Sequence, residues 1–199
     1  MTLKFQYNKI SQLNMRKQLK IRENALPTLK NKESALRFEV KKARDAAHAM
    51  DLEIEARGAR LEEFLKLWVE FDPSLIKISE VKIRSRKIAG VKTPELEGID
   101  YQLSEYDLFT APSWWLDGVS TLKELSRMQI EREFMVRKMQ LLEVVRKKTT
   151  QKVNLYEKVQ IPAYEEAILK ITRFMEDEEN LSKAAQKILK GRMAAEANA

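Results

Sequence analysis

Residues Met15–Phe71 read MRKQLKIRENALPTLKNKESALRFEVKKARDAAHAMDLEIEARGARLEEFLKLWVEF. Apolar or small residues recur along this stretch at gaps of alternately four and three. They are Met15, Leu19, Leu26, Leu29, Leu36, Val40, Ala43, Ala47, Met50, Ile54, Leu61, Phe64, Trp68 and Phe71. Arg22, Glu33 and Arg57 are the polar occupants of the same register. A seven-residue apolar repeat is the pattern of a left-handed coiled coil, because 3.5 residues per turn keeps one stripe on the partner helix. Unbroken, such a helix is about 85 Å long at about 1.5 Å per residue. The stretch reads as a rod. Pro27 lacks an amide donor and predicts a bend or a fresh helix start, although the seam keeps its phase from Leu26 to Leu29.

Working outward, the chain has 199 residues, of which 44% are hydrophobic and 34% charged, with only 5 Gly and 5 Pro. That balance suits long helices with wet outer faces. The absence of cysteine excludes disulfides and thiolate metal sites. The opening MTLKFQYNKIS has no apolar core of a secretory signal, and no run approaches the roughly 20 apolar residues that cross a bilayer. A soluble chain is expected, meeting a membrane only through a partner. Residues 1–50 carry 12 Lys and Arg against 4 Asp and Glu, so the basic surplus sits on the first half of the first helix. Such a surface can face phosphates or the acidic lining of a protein cavity.

Asp72-Pro73-Ser74 predicts the end of the rod, because proline disfavours helical geometry in the residue before it. The period then changes from seven to two over Leu75–Arg84, with a slip expected near Ser79. Val91–Leu96 reads as a returning strand. A two-stranded hairpin is marginal alone, so this insert must pack on the helices or on another protein. Residues 97–118 read as irregular, with Tyr101, Tyr106, Phe109, Trp114 and Trp115 clustered among prolines. The paired tryptophans fit internal lids or anchors for a partner, where Trp is enriched.

A second helical region is predicted from Val119 to Leu189. Its seam runs through Ile130, Phe134, Leu141 and Val144, then changes phase after about Thr149. It continues through Val153, Gln160, Tyr164, Ala167, Ile171, Phe174, Leu181, Ala185 and Ile188. Pro162 beside the shift should bend the helix. The expected divisions are a helix over 1–72, an insert over 73–118, a helix over 119–190 and a frayed tail over 191–199. The fold class is mainly α: a long antiparallel two-helix coiled coil whose central insert contains a β-hairpin and short helix. A parallel homodimer of the first helix is the rival.

No catalytic apparatus is visible. His48 is the single histidine and has no second ligand to complete a metal site. Glu176–Glu179 fan around a helix and do not converge. Neither GxxxxGK[ST] nor GxGxxG occurs. No catalytic residue, cofactor or metal is expected. Arg16, Lys17, Lys20, Arg22, Lys41, Lys42 and Arg44 could neutralise phosphates, but they run alongside the seam and not beyond it as a basic DNA-reading region would. A basic coiled-coil nucleic-acid-binding or scaffold protein is the alternative function.

The run Lys152–Ile171, KVNLYEKVQIPAYEEAILKI, resembles a characteristic segment of the D subunits of V-type (vacuolar/archaeal-type) ATPases. The likeness lies in its Val-Asn-x-Leu/Tyr-Glu core, the following Ile-Pro and the spaced isoleucines. Asp177-Glu178-Glu179 is similar to the family's acidic cluster, and Leu29–Leu36 to its Leu-Lys-x-Lys-x-x-x-Leu segment. Ala89-Gly90-Val91, Pro94, Phe109, Pro112, Trp114, Trp115 and Asp117 resemble the bacterial branch. The small-residue end after Asn180 departs from the basic tail of many members.

This resemblance implies a non-catalytic central stalk of a rotary proton- or sodium-transporting ATPase. The helices would stand inside the ring of A and B subunits, the insert would hold the F subunit, and the foot would sit on a C-type (d) subunit above the membrane rotor. It places the chain, as one copy per complex, on the cytoplasmic side of the cell membrane, without direct membrane insertion or nucleic acid. The seam residues expected to matter are Leu29, Leu36, Val40, Met50, Ile54, Leu61, Trp68, Val153, Tyr164 and Ile171. Ile78, Val81, Ile83, Val91, Tyr101, Trp114 and Trp115 are the candidates for contact with the F subunit, by strand addition at the hairpin as one mode.

Overall fold

The computed structural model describes residues 3–62, 65–105, 107 and 111–197; Phe64, Tyr106 and Phe109 lie outside the described residues. Helix α1 spans Lys9–Glu62 and is followed by a short helix, α2, at Leu65–Trp68. A 3-10 turn at Pro73–Leu75 leads into strands β1 (Ile76–Ile88) and β2 (Val91–Leu103). Helix α3 covers Trp115–Leu155, a π-helical turn covers Tyr156–Gln160, and α4 covers Ile161–Ala197. Helix α4 takes in residues 191–197 of the expected tail.

Local chemistry sets the element ends. Asn8 caps α1, its side-chain oxygen accepting the Ser11 amide at 2.7 Å and satisfying one of the donors left open at a helix start. Pro27 lies inside α1, which runs through it unbroken. Asp72 accepts the Ser74 amide at 2.8 Å, and this bond holds its carboxyl below the ordinary range. Asp117 sits within the first turn of α3, where a carboxylate suits the helix dipole. Helix α3 therefore begins at Trp115, before the expected Val119, and the two tryptophans stand at its start.

The chain divides into two compact units: residues Met1–Asn31 with Thr149–Ala199, and Lys32–Lys148. In the second, α1 and α3 are antiparallel neighbours. Arg132 pairs with Asp51 at 2.7 Å, Arg57 with Glu124 at 2.7 Å and Arg146 with Glu33 at 4.0 Å, so rising numbers on one helix meet falling numbers on the other. Leu36, Val40 and Leu142 form a buried core, covered by Ile88, Ala89, Val91, Met139 and Val145. The tip of the hairpin is therefore part of the helical core. Val144, expected in the seam, is exposed, and Leu142 and Val145 take the inward positions.

Strands β1 and β2 pair antiparallel over 13 residues each, well past the Leu96 end expected for the second strand. Ala89 and Gly90 both have positive φ, 49° and 82°, as a two-residue turn matched to strand twist requires. Two bulges interrupt the ladder. Ser79 is the extra residue of β1, where the sequence suggested a slip, and Glu97 is the extra residue of β2. The second bulge restores the register shifted by the first. It also hid the alternation of Ile99, Tyr101 and Leu103 from a period-two reading.

In the other unit, α1 runs antiparallel to the segment after Thr149. Gln12 donates to Thr172 at 2.7 Å, Arg22 to Gln160 at 2.6 Å and Lys30 to Glu157 at 2.6 Å. Tyr164, Ala167 and Ile171 are buried, and Val153 and Gln160 are half-buried. The change of phase is absorbed in the π turn, where the Ile161 amide bonds the Tyr156 carbonyl five residues back. One extra residue in one widened turn does locally what a stutter would spread over several turns. Pro162 follows at once, where its missing donor and bulky ring are least costly.

Candidate functional site

Every described position of the first seam, from Met15 through Leu29, Leu36, Val40, Met50, Ile54, Leu61 and Trp68 to Phe71, is buried or half-buried. The polar occupants are accommodated at the edge. Glu33 accepts Arg37 at 2.8 Å, and Arg57 reaches both Glu53 and Glu124. Arg22 is more deeply engaged. Its guanidinium lies 4.5 Å from the Tyr164 ring centre and 6.0 Å from that of Tyr156, while Nε donates to Gln160 Oε1. Three of its neighbours thus come from in and around the π turn. This cation-aromatic cage was invisible in the sequence, because it depends on a turn of non-standard period.

The second seam stops short. Tyr7 stacks on Phe174 at 4.8 Å, and Gln12 reaches Thr172. Beyond Met175 every described side chain of α4 is exposed through Met193. Leu181, Ile188, Leu189 and Met193 are 60–72% exposed, so Leu181, Ala185 and Ile188 are not seam residues within this chain. The physical reason is length: α1 begins at Lys9, and the antiparallel register leaves it nothing to place opposite residues 176–193.

The insert lies back along α3. Tyr101 donates its hydroxyl to the Lys123 carbonyl at 3.0 Å and shares a 2.9 Å hydrogen bond with Ser126. Thr93, Pro94 and Leu96 line a groove with Phe134, Met135 and Lys138 of α3. At the base, Phe71, Leu75 and Val119 are buried beneath Trp68, Trp114, Trp115 and Leu122. Trp114 meets Trp68 at 5.5 Å and Phe71 at 5.7 Å, and Trp115 meets Phe71 at 6.0 Å, all within the range of aromatic pairing. Gly118 is required there: a Cβ would stand 3.0 Å from a Trp114 ring carbon and 3.2 Å from Phe71.

The seven partner-surface candidates consequently separate. Val91 lies against the helical core, Tyr101 bonds α3, and Trp114 and Trp115 are half-buried in the aromatic cluster. Val81 is half-buried, whereas Ile78 is 45% and Ile83 59% exposed. Among the described residues no group of three or more His, Cys, Asp or Glu is placed to hold a metal ion, and His48 is exposed. Among them, too, no helix is long and apolar enough to cross a membrane.

The sequence model of the family described as the D subunit of ATP synthase matches residues 11–191, which takes in both helical regions and the insert. The chain belongs to the ATP synthase D subunit family. It is similar to the V-type ATP synthase D subunit of Borreliella burgdorferi, 30% identical over 187 residues, covering 92% of this chain and 93% of that protein. It is also similar to the V-type ATP synthase D subunit of Chlamydia muridarum, 32% identical over 158 residues, 76% and 77% of the two chains. The resemblance to D subunits drawn from Lys152–Ile171 therefore extends over nearly the whole molecule. As a D subunit of the V-type ATPase, the chain is a component of a complex, in a family that is not the catalytic one. Two features of this D subunit, the uncovered end of α4 and the isoleucines of β1, leave large apolar side chains exposed.

Proposed function

We propose that this chain is the central stalk of a V-type ATPase, the shaft that carries torque between the ATP-hydrolysing or ATP-synthesising head and the ion-translocating membrane rotor. The observation that carries this reading is the family match over residues 11–191 on a chain whose first seam is buried or half-buried at its described positions. A shaft must resist twisting and bending along its length, which interlocked seam side chains supply. It also meets its surroundings at changing angles, so a charged, shallow surface suits it better than deep pockets.

The uncovered stretch of α4, residues 176–193, is the part we assign to the A/B ring. An isolated helix of this length is marginal in water, and its exposed leucines and isoleucine favour a protein bearing. The F subunit is assigned to the insert, through Ile78, Val81 and Ile83, with Val91, Tyr101, Trp114 and Trp115 holding the insert in shape behind them. The aromatic base is the foot and meets a C-type (d) subunit. One copy would work in the complex, on the cytoplasmic side of the membrane, without inserting into it.

Reconstitution tests this. With the chain omitted, the A/B ring should still bind nucleotide but lose ATP-driven ion transport, and adding the chain back should restore it. Full coupling in its absence would refute the assignment.

A further inference from the structure

The hairpin leaves the outer edge of β1 without a strand beside it. Among the described residues the sheet has only two strands, so the outer backbone groups of β1, Ile76–Ile88, have no strand beside them. An exposed edge of 13 residues is a template for pairing, and a two-stranded sheet gains stability from a third strand.

The side chains say what kind of strand fits. Ile78 faces Tyr101 across the sheet, Val81 faces Ile99 and Ile83 faces Leu96. Those partners include the two that reach α3, Tyr101 by its hydroxyl and Leu96 in the groove beside Phe134. Tyr101 and Leu96 of β2 thus rest on the helix, as do Arg86 and Ile88 at the turn end of β1, while Ile78 and Ile83 stay exposed. With the Ser79 bulge counted, Lys77, Glu80, Lys82, Arg84 and Arg86 alternate with these residues and take the opposite face, four cations to one carboxylate. Lys82 is neutralised by Asp100 at 2.7 Å and Arg86 lies 3.5 Å from Glu95. Lys77, Arg84 and Lys87 have no carboxylate partner among the described residues.

We propose that β1 receives a strand from another component of the complex, with apolar residues in line with Ile78 and Ile83 and Asp or Glu on the opposite face beside Lys77 and Arg84. The proposal rests on the assignment of the chain to the ATPase complex and adds the edge, the pairing mode and the chemistry of the occupant. A second copy of this chain is the wrong occupant, because two β1 edges would bring like charges together. An acidic, alternating strand supplies what is missing on both faces, and its backbone completes the open ladder.

The test compares hydrogen exchange of residues 76–88 in the purified full chain and in the complex isolated from cell membranes. Outward-facing β1 amides should exchange at least about ten-fold more slowly in the complex. The Lys77→Glu/Arg84→Glu chain should lose most of that protection, while Lys77→Arg/Arg84→Lys should keep it. A complex that contains the chain but leaves β1 exchange unchanged overturns the pairing and spares the assignment to the ATPase. Protection that survives charge reversal overturns the acidic occupant. A chain that leaves the membranes with no partner overturns both readings.

Discussion

Replacing Arg22 by Ala should loosen the π turn without changing which face of α4 is buried. Arg22 joins α1 to that turn through a 2.6 Å charged hydrogen bond to Gln160 and the 4.5 Å approach to Tyr164. A hydrogen bond to a charged group contributes about 1.5–3 kcal/mol, and a cation over an exposed ring about 0.5–1 kcal/mol. Arg22 is only half-buried, so the lower ends apply; the Tyr156 ring at 6.0 Å and the local bonds to Gln18 add little. The expected loss is about 2 kcal/mol, or roughly 30-fold faster local opening at about 1.4 kcal/mol per decade. Hydrogen exchange at the Ile161 amide, which closes the π turn on Tyr156, reads this directly. Lysine lacks the planar fork and should restore less than half of the effect. The burial of Tyr164, Ala167 and Ile171 should persist, because an ordinary α turn would shift the phase by one residue and present Glu166 and Lys170 to α1. An Ile161 exchange rate within about three-fold of the original would show that the cage does not hold the turn.

Two further perturbations probe the other unit. Gly118→Ala should force Trp114 and Phe71 apart and destabilise by about 1–3 kcal/mol, the usual cost of overpacking, read as a lower urea midpoint with altered tryptophan fluorescence; an unchanged midpoint and spectrum would remove the close approach as a constraint. Arg146 grips Glu143 with two hydrogen bonds, at 2.6 and 2.8 Å, and so holds the carboxyl below its ordinary value of 4.5. The folded value being the lower one, the pair contributes above 4.5 and that contribution fades as pH falls through the folded value. Glu143→Gln should therefore be less stable than the original at neutral pH, with the gap narrowing in acid; a gap independent of pH would show that titration of Glu143 is not its source.

Much of the fold was written in the order of residues. The seven-residue seam of α1 predicts its buried face at each described position, because one helix repeating one spacing needs no tertiary information to define a stripe. The insert was harder to read. Its first bulge showed at Ser79, but the second, at Glu97, broke the alternation and made half of β2 look irregular. Tyr101, Trp114 and Trp115 advertise a binding surface by type, yet local packing takes up much of their area, while plain isoleucines at 78 and 83 remain outside.

Two long helices with apolar seams, a hairpin between them and a change of phase before Ile161-Pro162 are all legible in residue order alone. Periodicity and proline stereochemistry act over a few residues, so these features are local. Contacts between distant segments settle that one π turn absorbs the phase change, that Arg22 closes over it, that Tyr101 and Leu96 rest on α3 while Ile78 and Ile83 stay outside, and that α4 outruns its partner. Each depends on which surfaces meet between segments far apart in the chain, and no spacing within a single segment records that.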